Sequence, residues 1–163
     1  MRCVTAILSV AAVVLMAAGL AAQAKPSFAG EWKIAGDPHS GGGRGGPGKD
    51  LTITQSATAM TVEYRAGGQA PAPMTLTYKL DGSVSKNMMT GRGGGAPTEQ
   101  VSKAMWAANK LVVTTTTGAG EEKRTFSMEG GNLVVETSAA ARNGGAPNIT
   151  KVTYQRYERG HGG

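Results

Sequence analysis

Three arginines stand inside runs of glycine: Gly43-Arg44-Gly45-Gly46, Gly91-Arg92-Gly93-Gly94 and Arg142-Asn143-Gly144-Gly145. A fourth, Arg65, precedes Ala66-Gly67-Gly68. Glycine lets a backbone approach a bound group closely, and a guanidinium offers a planar fork of donors suited to carboxylate or phosphate. Gathered on one surface, four such arginines would hold an anionic group. Scattered, they would be solubilising charge on flexible connections. Gly-Arg runs also suit single-stranded nucleic acid, but that mode needs aromatic rings to stack on bases. No aromatic residue lies in these segments. No nucleic-acid partner is expected.

Other reactive residue types are sparse. His39 follows Asp37-Pro38, and His161 lies in a polar tail; one His beside one carboxylate is half a metal site. No Ser occurs in a G-x-S-x-G context. Glu121-Glu122 reads as the solvated start of a strand rather than an acid–base pair. Met88-Met89 reads as gap-filling side chains rather than soft-metal ligands. The single Cys, Cys3, excludes an intrachain disulfide and a thiolate cage. The reading is of a protein that is not an enzyme, with no metal and no cofactor.

What must position the arginines is a set of strands. Arg2 followed by an apolar run from Val4 to Leu20, then Ala22-Gln23-Ala24, has the layout of a secretory signal peptide. Setting residues 1–24 aside leaves one domain, 25–163, with no Cys and a formal charge of +5. In it, apolar residues alternate with Thr and charge, as in Met74-Thr75-Leu76-Thr77-Tyr78-Lys79-Leu80. The spacing predicts ten strands, at 30–35, 49–56, 59–66, 74–80, 83–90, 98–107, 110–117, 121–128, 132–138 and 149–158, and no helix beyond one short turn. Asn109-Lys110-Leu111-Val112-Val113 and Asn132-Leu133-Val134-Val135 look like one hairpin element used twice.

Tight turns are predicted at 56–58, Asp81-Gly82, Ala108-Asn109 and Glu129 to Asn132. Asp-Gly carries the strongest hairpin signal, for a type I′ turn. The connections at 37–48, 67–73, 91–97, 118–120 and 140–148 are longer and rich in Gly. Tight and long connections alternate, so in an up-and-down antiparallel meander the long ones share one rim, and Arg44, Arg65, Arg92 and Arg142 converge there. Ten strands with one apolar face need that face covered and their edges removed. Closure into a soluble all-β barrel does both, with a two-layer β-sandwich as the alternative. Polar second faces and short strands fit a soluble barrel much better than a transmembrane one. The interior is expected to hold Trp32, Ile34, Leu51, Ile53, Met60, Val62, Tyr64, Met74, Leu76, Tyr78, Leu80, Trp106, Leu111, Val113, Phe126, Met128, Leu133, Val135, Val152 and Tyr154. In strand 98–107 the register is open between Val101/Met105 and Ala104/Trp106, and the size of the indole places Trp106 inside.

Gly30-Glu31-Trp32, opening the first strand soon after the signal segment, resembles the G-x-W motif of lipocalins. The strand count is nearer the ten of fatty-acid-binding-like barrels than the eight of lipocalins. The mature chain is similar to small, Gly-rich, exported lipocalin-like (calycin-type) proteins of bacteria. The resemblance implies that Trp32 plugs one end of a barrel and that an Arg of the last strand packs across it. Arg156 is the candidate, with Arg159 second. The signal segment, the one-faced strands and the shared rim of long connections together lead to the expectation of an exported, periplasmic or secreted, monomeric protein that binds a small amphipathic or anionic molecule. The apolar part would enter the barrel and the acidic head would meet the arginine rim. The competing expectation is a solid barrel that serves as a structural or protein-interaction element of the cell envelope, with no internal ligand.

Overall fold

The computed structural model describes residues 24–35, 50–65, 74–89, 96–117, 120–141 and 144–157. Ten antiparallel strands run β1 (Gly30–Ile34), β2 (Asp50–Gln55), β3 (Ala59–Arg65), β4 (Met74–Lys79), β5 (Val84–Met89), β6 (Thr98–Ala107), β7 (Lys110–Thr117), β8 (Gly120–Glu129), β9 (Asn132–Ala139) and β10 (Asn148–Arg156). They form one sheet in the order β4-β3-β2-β1-β10-β9-β8-β7-β6-β5. This is the predicted meander rolled on itself, with the first and last strands side by side. One nearly closed barrel results, not a sandwich, and the described residues contain no helix.

Alternation sets the register. In β4, Leu76 and Tyr78 are buried while Thr75, Thr77 and Lys79 are exposed. In β6, Ala104 is fully buried and Met105 is 63% exposed, which settles that strand in favour of the Ala104/Trp106 face. Only residues 118–119 separate β7 from β8, so that connection is as short as the turns at the other end.

The predicted Asp-Gly hairpin differs. Gly82 has φ +82°, but Asp81 is not in the left-handed region, so a type I′ turn is not formed. Instead the Asp81 carboxylate accepts from Ser83 N at 2.9 Å and Ser83 Oγ at 2.6 Å, an Asx arrangement. The strands it joins, β4 and β5, share no backbone ladder. They are stitched by side chains: Thr77 N donates to Asn87 Oδ1 (2.7 Å), Asn87 Nδ2 donates to Thr77 O (3.1 Å) and Lys79 N donates to Ser85 Oγ (2.8 Å). Two consecutive positive-φ residues occur at Gly130 and Gly131, between Glu129 and Asn132. That turn has the backbone signs of type I′.

The tight-turn end is plugged by a residue outside any strand. Phe28 is fully buried, stacked on Trp106 (5.8 Å between centroids) and tilted against Phe126 (6.2 Å). Gln55 fixes its segment, accepting from Phe28 N at 2.8 Å and donating to Pro26 O at 3.2 Å. Trp32 Nε1 donates to Phe28 O at 2.9 Å. Across Trp32 lies Arg156, its guanidinium 4.9 Å from the ring centroid.

Candidate ligand-binding site

Burial along the barrel axis is graded. Met60, Val62, Leu111, Phe126, Leu133 and Tyr154 are 0% exposed, so they touch no space large enough for water. Toward the long connections the inward faces open. Ile34, Met74, Met89, Thr117, Glu122, Thr137 and Thr150 are partly exposed, whereas the next inward residues on six of those strands, Trp32, Leu76, Asn87, Thr115, Val135 and Val152, are buried. The barrel is therefore packed through most of its length, and only the outermost inward layer at the long-connection end is partly exposed, a shallow cup.

The inward face of β8 supplies a charge to this cup. Phe126 and Met128 point into the core, and the same parity directs Arg124 and Glu122 inward. Arg124 Nη1 donates to Tyr64 Oη at 3.0 Å, and Nη2 lies 2.7 Å from Glu122 Oε1. The guanidinium also sits 5.8 Å from the Tyr64 ring centroid. The pair is sheltered, with 13% of the Arg124 side chain and 23% of that of Glu122 exposed. Glu122 is thus the partner of an internal guanidinium, not part of a solvated strand start.

Burial raises the pKa of Tyr64, with Arg124 opposing it in part. Burial likewise raises the phenols of Tyr78 and Tyr154, both within electrostatic range of Arg124 and Tyr64. All three are neutral hydroxyls at physiological pH. Burial works against the charge of Arg124, but Tyr64 and Glu122 more than offset it, and its pKa stands above the ordinary arginine value. Among the described residues two buried side-chain polar atoms have no hydrogen-bond partner, Arg124 Nε beneath the cup and Tyr154 Oη in the packed interior. On the neighbouring wall, Ser102 and Thr115 satisfy each other at 2.8 Å. The floor therefore holds a guanidinium with an unmet N–H donor beside aromatic rings, while the Tyr154 phenol is sealed in the packed interior.

Of the arginines singled out from the sequence, Arg44, Arg92 and Arg142 lie outside the described residues, as do His39, Arg159 and His161. Arg65 ends β3 at the cup end, and its side chain is likewise outside them. Gly30, Trp32 and Arg156 come together at the opposite, plugged end. Sequence reasoning missed Arg124, Glu122 and the Phe28 plug. Among the described residues no three His, Cys, Asp or Glu side chains gather to hold a metal ion.

No protein-family model matches the chain, and no curated protein matches it. Solved structures do. Wild-type fluorescent protein UnaG superposes with a TM-score of 0.56 at 19% identity, over 80% of this chain and 97% of that one. The fold is a calycin-like barrel. The zebrafish ileal bile acid-binding protein, complexed with cholic acid, gives 0.54 at 16% identity over 80% of this chain and 98% of its own. Secretory abundant heat soluble protein 4 of Ramazzottius varieornatus gives 0.54 at 13% identity, over 80% and 94%. At these identities the likeness is one of fold.

Proposed function

We propose that this chain is an exported, non-enzymatic protein that holds an amphipathic or anionic small molecule in the cup at the open end of its barrel. The observation that carries the reading is Arg124, a sheltered guanidinium with an unpaired Nε at the floor of an opening lined by Ile34, Met74 and Met89. An unmet buried donor costs about 1–3 kcal/mol, a deficit that a bound acceptor removes. The cholic acid complex of a barrel of this fold supports the same use of the interior. Because the residues one step further in are buried on all but one of the strands lining the cup, the ligand occupies the outermost layer only, with its apolar body against Ile34, Met74 and Met89. Arg44, Arg65, Arg92 and Arg142 are proposed to meet any acidic group at the rim, while Gly30, Trp32 and Arg156 close the far end. Residues 1–24 are proposed as a removable leader, giving a monomeric periplasmic or secreted protein that begins at Lys25.

The filled lower barrel favours a second reading, an envelope interaction protein with no internal ligand. Solvent extraction of the purified mature chain, followed by mass spectrometry, separates the two. A co-purifying amphiphile whose binding weakens about tenfold or more in Glu122→Gln/Arg124→Met supports the ligand reading. No extract, together with no thermal shift across a panel of amphiphiles, supports the interaction reading.

A further inference from the structure

We propose that Glu122 sets the charge selectivity of the cup, so that the group seated on Arg124 is an uncharged acceptor, a carbonyl or an amide, and not a free carboxylate. The inference rests on the binding reading above and names the ligand chemistry that reading leaves open.

Each terminal nitrogen of Arg124 already has one partner. Nη2 faces Glu122 Oε1 at 2.7 Å and Nη1 donates to Tyr64 Oη at 3.0 Å. Each terminal nitrogen keeps a second N–H, and Nε–H has no partner, so the guanidinium still has donors to give. The floor lacks a hydrogen-bond acceptor, not a counter-charge. Glu122 supplies one negative charge to one positive guanidinium, so the local sum is zero. A ligand carboxylate at Nε would share that guanidinium with a second carboxylate and would also surrender its hydration. A carbonyl oxygen accepts the same N–H without the like-charge repulsion and with a smaller desolvation cost. The three phenols around the pair are neutral and add no opposing positive charge. An acidic group elsewhere on the same ligand is unaffected, because it would lie toward the rim.

A matched pair of compact probes tests this: 1-naphthamide and 1-naphthoate, titrated into the mature chain, into Glu122→Gln and into Glu122→Ala. Gln keeps an oxygen for Arg124, and Ala removes the charge by truncation, so the result does not hang on one side chain. The wild-type chain is expected to prefer the amide by about tenfold. Both variants are expected to tighten naphthoate by a similar factor while changing naphthamide by less than about twofold. Equal or tighter naphthoate binding by the wild-type chain, with the ratio unmoved in both variants, would overturn the inference and leave the binding reading standing. Binding of neither probe to any of the three proteins would overturn both.

Discussion

Asn87 closes the barrel by holding Thr77 with both ends of its carboxamide, Oδ1 accepting from Thr77 N at 2.7 Å and Nδ2 donating to Thr77 O at 3.1 Å. A side chain here does what a neighbouring strand's backbone does elsewhere in the sheet. Asn87→Ala leaves Thr77 with a donor and an acceptor unmet and is expected to cost about 2 kcal/mol. Hydrogen exchange is the local readout, and the Thr77 amide should lose protection before those of β8 and β9. Ser85→Ala should do the same at Lys79, whose N donates to Ser85 Oγ at 2.8 Å. Unchanged protection at both positions would mean that the seam is held by something else.

Phe28 is the plug, and its removal should be felt across the tight-turn end. Phe28→Ala is expected to destabilise the fold by about 3–5 kcal/mol, since a fully buried ring leaves a cavity that its neighbours fill only in part. Trp106 loses its stacking partner in the same step, so its fluorescence should shift to the red in the native state. Denaturant unfolding and the emission spectrum check the two effects separately.

Gly30 and Arg156 are coupled through Trp32. Gly30 has φ +147°, and a Cβ there would lie 3.1 Å from Arg156 Nη1. Gly30→Ala therefore strains the backbone and pushes the guanidinium off the indole at once. Arg156→Met removes the cation–π contact, worth about 0.5–1 kcal/mol at an exposed side chain, together with a long hydrogen bond from Nη2 to Ala29 O (3.4 Å). Thermal unfolding should rank Gly30→Ala as the more damaging change, and the double variant should cost less than the sum of the two.

The buried phenols make the fold sensitive to alkali. Burial raises the pKa of Tyr64, Tyr78 and Tyr154 above the ordinary value of 10.0. In the unfolded chain these groups ionise near that value, while in the fold they keep their protons. Their contribution to stability is therefore complete below about pH 10 and is lost as the pH rises toward the folded-state values. Tyrosinate absorbance should show these three of the four tyrosines titrating together with unfolding. Early, unfolding-independent ionisation of all four would contradict the packing described.

How much of this was legible in the residues depends on periodicity. Ten strands could be read because Thr and charge alternate with Val, Leu, Ile and Tyr, and a period of two leaves one solution for each face. The Asp81-Gly82 hairpin could not be read correctly, because a dipeptide signal does not report that Asp81 prefers to bond Ser83. Phe28 lies before the first strand between Ser27 and Ala29, with no periodic neighbours to mark it as buried. Arg124 was hidden by its context. Glu121-Glu122-Lys123-Arg124 looks like a solvated run, and only its parity with Phe126 and Met128 betrays the inward pair. The rim arginines were conspicuous through composition, whereas the arginine placed inside the barrel was not.

On the proposed reading, a ligand is received at the floor of the cup, at Arg124. The most direct measurement is the side-chain Nε–H resonance of Arg124 in the nitrogen-15 NMR spectrum of the mature chain, followed during titration with an amphiphile that binds. A marked shift and slowed solvent exchange of that resonance are expected at saturation, both lost in Arg124→Met. Saturable binding that leaves the Arg124 Nε–H unmoved, with every shift confined to the outer faces of the strands, would contradict it.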